Sequence, residues 1–296
     1  MKSRTKSGGV LLILLAGIFW GSMGLFVRRL QALGFDPVQI TAVRLRLAAL
    51  GFCLLLLLRE PEGFRIRWKD LPLFLGLGLG SILFFTVCYF TAISIMPLST
   101  AAILLYTSPI WVTLLAALLF REKLSLRRLL ALALAFGGCV LVSGPGGSLT
   151  LRGLMIGLGA GLGYGLYSIL GTIALRHYRP LSVTAWTFLI AGLGSVFLRS
   201  PLTVLARLTQ LPPEAGRLSV VLFFVLMALV TAVIPFLAYT LGLRTVEPGR
   251  AAILATVEPL VATLFGVLVF HEPLTLAAAL GIALILSAVV LLNSQA

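Results

Sequence analysis

Charge is what this 296-residue chain has least of: 11% of its residues are Asp, Glu, Lys or Arg, and only nine of those are acids. A soluble domain carries about a quarter charged residues. Hydrophobic residues make up 60% of the chain without its 30 glycines, and the mean hydropathy is +1.12. Too little polar sequence remains to form a solvated skin, which excludes an ordinary globular fold. No stretch outside the apolar runs is long enough for a separate soluble domain. Cysteine is scarce as well. Cys53, Cys88 and Cys139 all fall inside apolar runs without a pairing spacing and read as small buried hydrophobes, with no disulfide or redox role. The two histidines, His177 and His271, stand apart in the gaps between runs, so no metal cluster is expected. Nothing resembles a nucleotide-binding loop, which argues against direct ATP hydrolysis, and no cofactor is expected.

Apolar runs are what the chain has in abundance. A spanning helix needs ~20 mostly apolar residues, and ten runs occur, at about 9–27, 38–58, 71–95, 98–119, 127–143, 153–175, 181–198, 219–243, 249–270 and 274–292. The reading is an all-α polytopic membrane protein with ten transmembrane helices. The first run continues to Val27 without a small-residue cleavage site, so it reads as a retained helix rather than a signal peptide. A net charge of +14 would point to nucleic acid in a soluble chain. Here the Lys and Arg sit in the short gaps, where they act as topology determinants; the lipid bilayer, not nucleic acid, is the expected partner. With the N-terminus inside, about 15 Lys and Arg fall in inside gaps against 6 outside. Both termini are therefore expected in the cytoplasm, residues 1–8 forming a short tail, in the cytoplasmic membrane of a bacterium or archaeon.

The chain also repeats itself. A shift of 150 places Ala101-Ala102-Ile103-Leu104 on Ala251-Ala252-Ile253-Leu254, Pro109 on Pro259, Phe120 on Phe270, Glu122 on Glu272 and Tyr89 on Tyr239. Over 101–125 about 11 of 25 residues are identical. A shift of 144 places Gly17-x-x-Trp20-Gly21 on Gly161-x-x-Tyr164-Gly165. The two copies, 9–145 and 146–296, hold five spans each. Five is odd, so the second copy enters the membrane inverted. Two inverted five-helix repeats around a midplane site form a recurring transporter design, with a physical basis for alternating access.

These features together resemble the drug/metabolite transporter superfamily, and its EamA-type members in particular. The resemblance is carried by the Ala101 to Ser125 segment, by Glu258-Pro259 and Phe270-His271-Glu272-Pro273-Leu274-Thr275 in the second copy, and by Gly17-Ile18-Phe19-Trp20-Gly21. It covers essentially the whole chain. It implies transport of a small metabolite, and a central cavity lined by the first, third and fourth helices of each half, with the fifth peripheral.

Glu258 is the only acid well inside an apolar run, ~13 Å deep at 1.5 Å per residue. A mid-span acid costs roughly 2.5–3.5 kcal/mol on insertion scales, so it is expected to face a cavity or stay protonated. A proton-titrating or cation-binding role and a structural role repairing the helix break at Pro259 stand level. Ser108-Pro109 is the non-ionisable match in the first half. Trp20, Tyr89, Tyr106, Tyr164 and Tyr239 are the candidate aromatic walls, suited to amphipathic or cationic ligands, although single aromatics more often serve packing. Gly17, Gly21, Gly161 and Gly165, with Pro109 and Pro259, are the candidate gating and helix-break positions; small residues four apart let helices approach closely. Arg44 and Arg46 lie near one end of the second span and point ~200° apart. Snorkelling to the headgroups is the preferred reading for them. Glu122 and Glu272 read as structural turn residues before helix starts at Ser125 and Thr275.

The expected function is a secondary active transporter, and an exporter, of small metabolites such as amino acids or organic cations, with proton coupling through Glu258. A facilitative uniporter or channel-like pore is the alternative. A membrane-embedded enzyme is disfavoured because such chemistry needs paired acids or a nucleophile and base in proximity. Monomer and homodimer both remain open.

Overall fold

A computed structural model describes residues 2–95, 98–122, 124–143, 150–211, 216–271 and 274–293. The described residues are mostly helical, with no strand among them. In chain order the α-helices are α1 (Lys2–Gly21), α2 (Met23–Ala32), α3 (Pro37–Arg59), α4 (Leu71–Leu75), α5 (Phe84–Ile95), α6 (Leu98–Leu105), α7 (Ser108–Phe120) and α8 (Leu126–Ser143). They continue with α9 (Leu151–Ala174), α10 (Pro180–Gly194), α11 (Pro201–Thr209), α12 (Arg217–Ala228), α13 (Ile234–Gly242), α14 (Pro248–Leu254), α15 (Val257–Phe270) and α16 (Leu276–Asn293). Two π-helical segments, Gly76–Leu83 and Leu229–Val233, join α4 to α5 and α12 to α13.

Seven helical stretches are long and apolar enough to cross a membrane: Ser7–Ala32, Pro37–Arg59, Trp68–Tyr89, Leu151–Ala174, Pro180–Phe197, Arg217–Gly242 and Pro248–Val269. The other three expected runs are filled by α6 with α7, by α8 and by α16. The last two are 18 residues each, about 27 Å at 1.5 Å per residue. Large apolar side chains cover the outside, Leu118, Leu268, Val290 and the 93%-exposed Phe197 among them. Such a skin belongs against hydrocarbon.

Local chemistry sets the helix ends. Asp36 opens α3 with a reciprocal cap: its carboxylate accepts from the Gln39 N–H at 2.8 Å while its own N–H donates to Gln39 Oε1 at 3.0 Å. Pro37 follows at the first helical position, where its missing donor costs nothing. Thr150 caps α9 through the Gly153 N–H. The caps expected at Ser125 and Thr275 are present, each hydroxyl accepting from the backbone three residues on. Glu272 and Pro273 lie outside the described residues. Several buried hydroxyls are satisfied within their own helices; Thr187, Thr231 and Thr240 donate to the carbonyl four residues back.

The packing partners are reciprocal. The helix that opens the chain, α1, lies against α13 and α15; α9 lies against α5 and α7; α3 pairs with α10, and α8 with α16. Small residues permit the close crossings. A Cβ on Gly138 would fall 2.7 Å from the Gly281 carbonyl oxygen, and one on Gly242 would fall 2.9 Å from that of Gly9.

Candidate functional site

Two broken helices meet two glycine faces at the centre of the bundle. The chain turns at 106–107 between α6 and α7 and at 255–256 between α14 and α15, just before Pro109 and Pro259. Proline removes the donor that would bond four residues back. The turns repair themselves: the Thr107 hydroxyl donates to the Leu104 carbonyl at 2.6 Å, the Thr256 hydroxyl to that of Ile253 at 2.7 Å, and the Glu258 N–H to that of Ala255 at 3.0 Å. Gly161 and Gly165 of α9 press on the first break, and Gly17 and Gly21 of α1 on the second. A Cβ on Gly161 would stand 2.8 Å from the Leu104 carbonyl oxygen, and one on Gly21 2.7 Å from that of Glu258.

Beside these crossings lies a cavity of about 340 Å³, within the range of small-molecule sites. Trp20, Tyr89, Tyr106, Tyr164 and Glu258 all line it, together with Phe85, Phe236 and Arg44. The Tyr164 hydroxyl donates to Glu258 Oε2 at 3.0 Å. Trp20 meets Tyr164 and Phe236 edge-on, with ring centroids 6.1 and 5.0 Å apart, and Phe85 stands 5.2 Å from Tyr164. The cavity reaches past Gly24 and Val27 to Pro37 and Ile40, towards the end of the bundle that carries the 33–36 turn.

Arg44 differs from its sequence expectation. It is only 8% exposed and does not reach outwards to the bundle surface; its Nη1 donates to Met23 Sδ at 2.8 Å. Arg46, on the opposite face of α3, donates to Ser195 Oγ and to the Ser195 and Arg199 carbonyls at the end of α10. One arginine therefore caps a helix end and the other lines the cavity. Arg44 stands seven residues after Pro37, and the equivalent position after Pro180 in α10 is Thr187. The charge has no match in the other half.

Tyr239 lies outside the cavity lining, behind Trp20, whose ring centroid is 5.4 Å away. Its hydroxyl pairs with Ser168 at 2.7 Å, next to a Tyr167–Thr240 pair at 2.6 Å. A void of about 20 Å³ adjoins it on this side. Tyr239→Phe strands a buried Ser168 hydroxyl and is expected to cost about 1 kcal/mol, lowering the melting temperature by roughly 2–4 °C; a thermal melt of the purified variant checks it.

The cavity's lining does not extend to the end that carries the start of α1. Gly9 packs against Thr245 and Val246. Arg128 donates to Glu122 at 2.8 Å and to Glu247, joining the α7–α8 turn to the approach of α14. Burial pushes the Glu122 carboxyl above the usual carboxylate range, with Arg128 pulling the other way. Sequence spacing gave no sign of this bridge, because Arg128 and Glu247 are 119 residues apart.

The EamA-like transporter family model matches this chain twice, over residues 7–144 and 151–294. An uncharacterized transporter of Archaeoglobus fulgidus is 32% identical over 283 residues, covering 94% of each chain. An uncharacterized protein of Pseudomonas aeruginosa is also 32% identical, over 94% of each. An uncharacterized transporter of Bacillus subtilis is 23% identical over 300 residues, covering 100% of this chain and 94% of its own. A solved crystal structure shares the fold with a TM-score of 0.80 at 20% identity, covering 97% of both chains.

Proposed function

The chain belongs to the EamA-like transporter family, and from that premise we propose that it is a secondary active exporter of small metabolites, working by alternating access around the cavity beside the two helix breaks. The observation that carries this reading is a single carboxylate, Glu258, in an aromatic cavity where the first helix of one half crosses the broken helix of the other. Ten crossings in two inverted five-helix repeats, 9–145 and 146–296, are part of the proposal. Exchange of partners between the halves supports it: α1 packs on α13 and α15 as α9 packs on α5 and α7. So do features recurring 150 residues apart, namely overlapping π-helical segments and left-handed residues at Arg121 and His271. Gly17, Gly21, Gly161 and Gly165 are the surfaces on which the halves rock, and Pro109 and Pro259 keep the broken helices pliable.

With both termini cytoplasmic, the cavity faces outwards and the Arg128 bridge closes the inner side. Arg128→Ala is then expected to favour inward opening. Removing ~1 kcal/mol from one side of a two-state equilibrium changes the population about fivefold. A cysteine placed at Val246, in a background with the three native cysteines replaced, should react correspondingly faster with a water-soluble maleimide. An unchanged rate would show that the bridge does not set the balance. Arg44 supplies a standing counter-charge in the same cavity, which favours a second reading, a facilitative carrier without proton coupling. Counterflow in proteoliposomes tests for a carrier: a saturable exchange supports it, and a non-saturating flux indicates a pore.

A further inference from the structure

Building on that transport reading, we infer that the cavity is a two-pole receptor for a zwitterion, in which Arg44 takes the substrate's carboxylate and Glu258 its ammonium group. Two opposite charges line one cavity, each bonded to a different partner and without a direct ion pair between them. Each is held on a weaker or single partner. Arg44 offers five donors in a planar fork, yet its protein partner is a thioether sulfur, a weak acceptor, and its buried Nε has no partner. Glu258 has the Tyr164 hydroxyl on one oxygen.

Burying charge without a partner is costly, and buried charges are normally paired. The two here balance each other in sum but not in contact. A monocation would satisfy Glu258 and leave Arg44 stranded while adding net charge to a poorly solvated space. A monoanion would do the reverse. A molecule with both groups completes both pairs and leaves the site neutral. A carboxylate also matches the guanidinium fork, which can bind it through two parallel hydrogen bonds. Trp20, Phe85, Tyr164 and Phe236 supply apolar and aromatic wall for a side group. Since Thr187 stands where the other half would place its arginine, the anion-binding pole exists once, and the substrate binds in one direction. This assignment narrows the amino acids and organic cations of the sequence reading to the former class.

The test is calorimetric titration of the purified full chain in detergent with L-leucine and L-phenylalanine. Each is compared with its decarboxylated amine, its deaminated acid and its carboxamide. The amino acids should bind at least about tenfold more tightly than all three analogues. Arg44→Gln should remove the preference over the carboxamide, and Arg44→Lys should restore part of it. An amine or acid that binds as well as its amino acid would overturn the assignment, as would the absence of amino-acid binding at millimolar concentration. Should Arg44→Gln fail to fold, the analogue series on the unaltered protein decides alone. Binding is read apart from transport. Amino acids that bind without counterflow overturn the transport reading and leave the two poles standing; counterflow of an amine with no zwitterion bound does the opposite.

Discussion

Glu258→Gln is expected to abolish accumulation driven by a pH gradient while leaving the protein folded. The amide keeps an oxygen for the Tyr164 hydroxyl, which now donates at 3.0 Å, and keeps nearly the same volume. A stability change of about 1 kcal/mol, or roughly 2–4 °C in melting temperature, is the expected ceiling. What the variant loses is the only acid well inside a membrane run. In the proposed cycle one carboxylate holds a proton or the substrate's ammonium, but not both, and that competition would couple an outward substrate to an inward proton. In proteoliposomes the ratio of uptake with and without an imposed pH gradient should fall to one for the glutamine variant. Substrate affinity should weaken as well. A variant that still accumulates substrate in response to pH would remove Glu258 from the coupling, whereas an unaltered protein that equilibrates its substrate but never accumulates it would support the facilitative reading.

Gly161→Val is expected to be the most damaging of the single packing changes. A Cβ there would lie 2.5 Å from Thr107 Oγ1 and 2.8 Å from the Leu104 carbonyl oxygen, the two groups that repair the first helix break. Backbone cannot yield as a long side chain can, so α9 must move away. Overpacking of this kind costs about 1–3 kcal/mol, and the same displacement opens the contact on which the halves are proposed to rock. Gly159→Ala is the matched control on the same helix. Its nearest neighbours would be Cys88 Sγ at 3.5 Å and Phe84 Cζ at 3.6 Å, ordinary contact distances. The valine variant should melt several degrees lower and lose counterflow, whereas the alanine variant should do neither. Equal melting of the two would show that the α9 crossing has room to spare.

Residue types alone made part of the site legible. Glu258 stood out because acid in an apolar run is costly, and Pro109 and Pro259 because each deletes a helix donor at matched positions. Gly17 and Gly161 were marked by spacing, and the structure places each against the broken helix of the opposite half. Rotation of the helices about their axes was not legible. Tyr89 and Tyr239 match across the repeat, yet one lines the cavity and the other seals the space behind Trp20. Depth along a span, which points to snorkelling for Arg44, is easy to count in a sequence, whereas the direction of a side chain is not.

The amino-acid sequence by itself determined that the chain is a set of membrane helices written in two similar copies, with one buried acid beside a proline break. Hydropathy, charge placement and self-similarity are local properties and survive without coordinates. Only the tertiary structure decided which side chains share the cavity, that Arg44 faces it while Arg46 caps α10, and that Arg128 bridges to Glu247. In lipid both the outward and the inward faces of a helix can be apolar, so hydrophobic periodicity carries little information about facing. The choice is made by where small residues let helices touch, and that is settled only when all of them have packed.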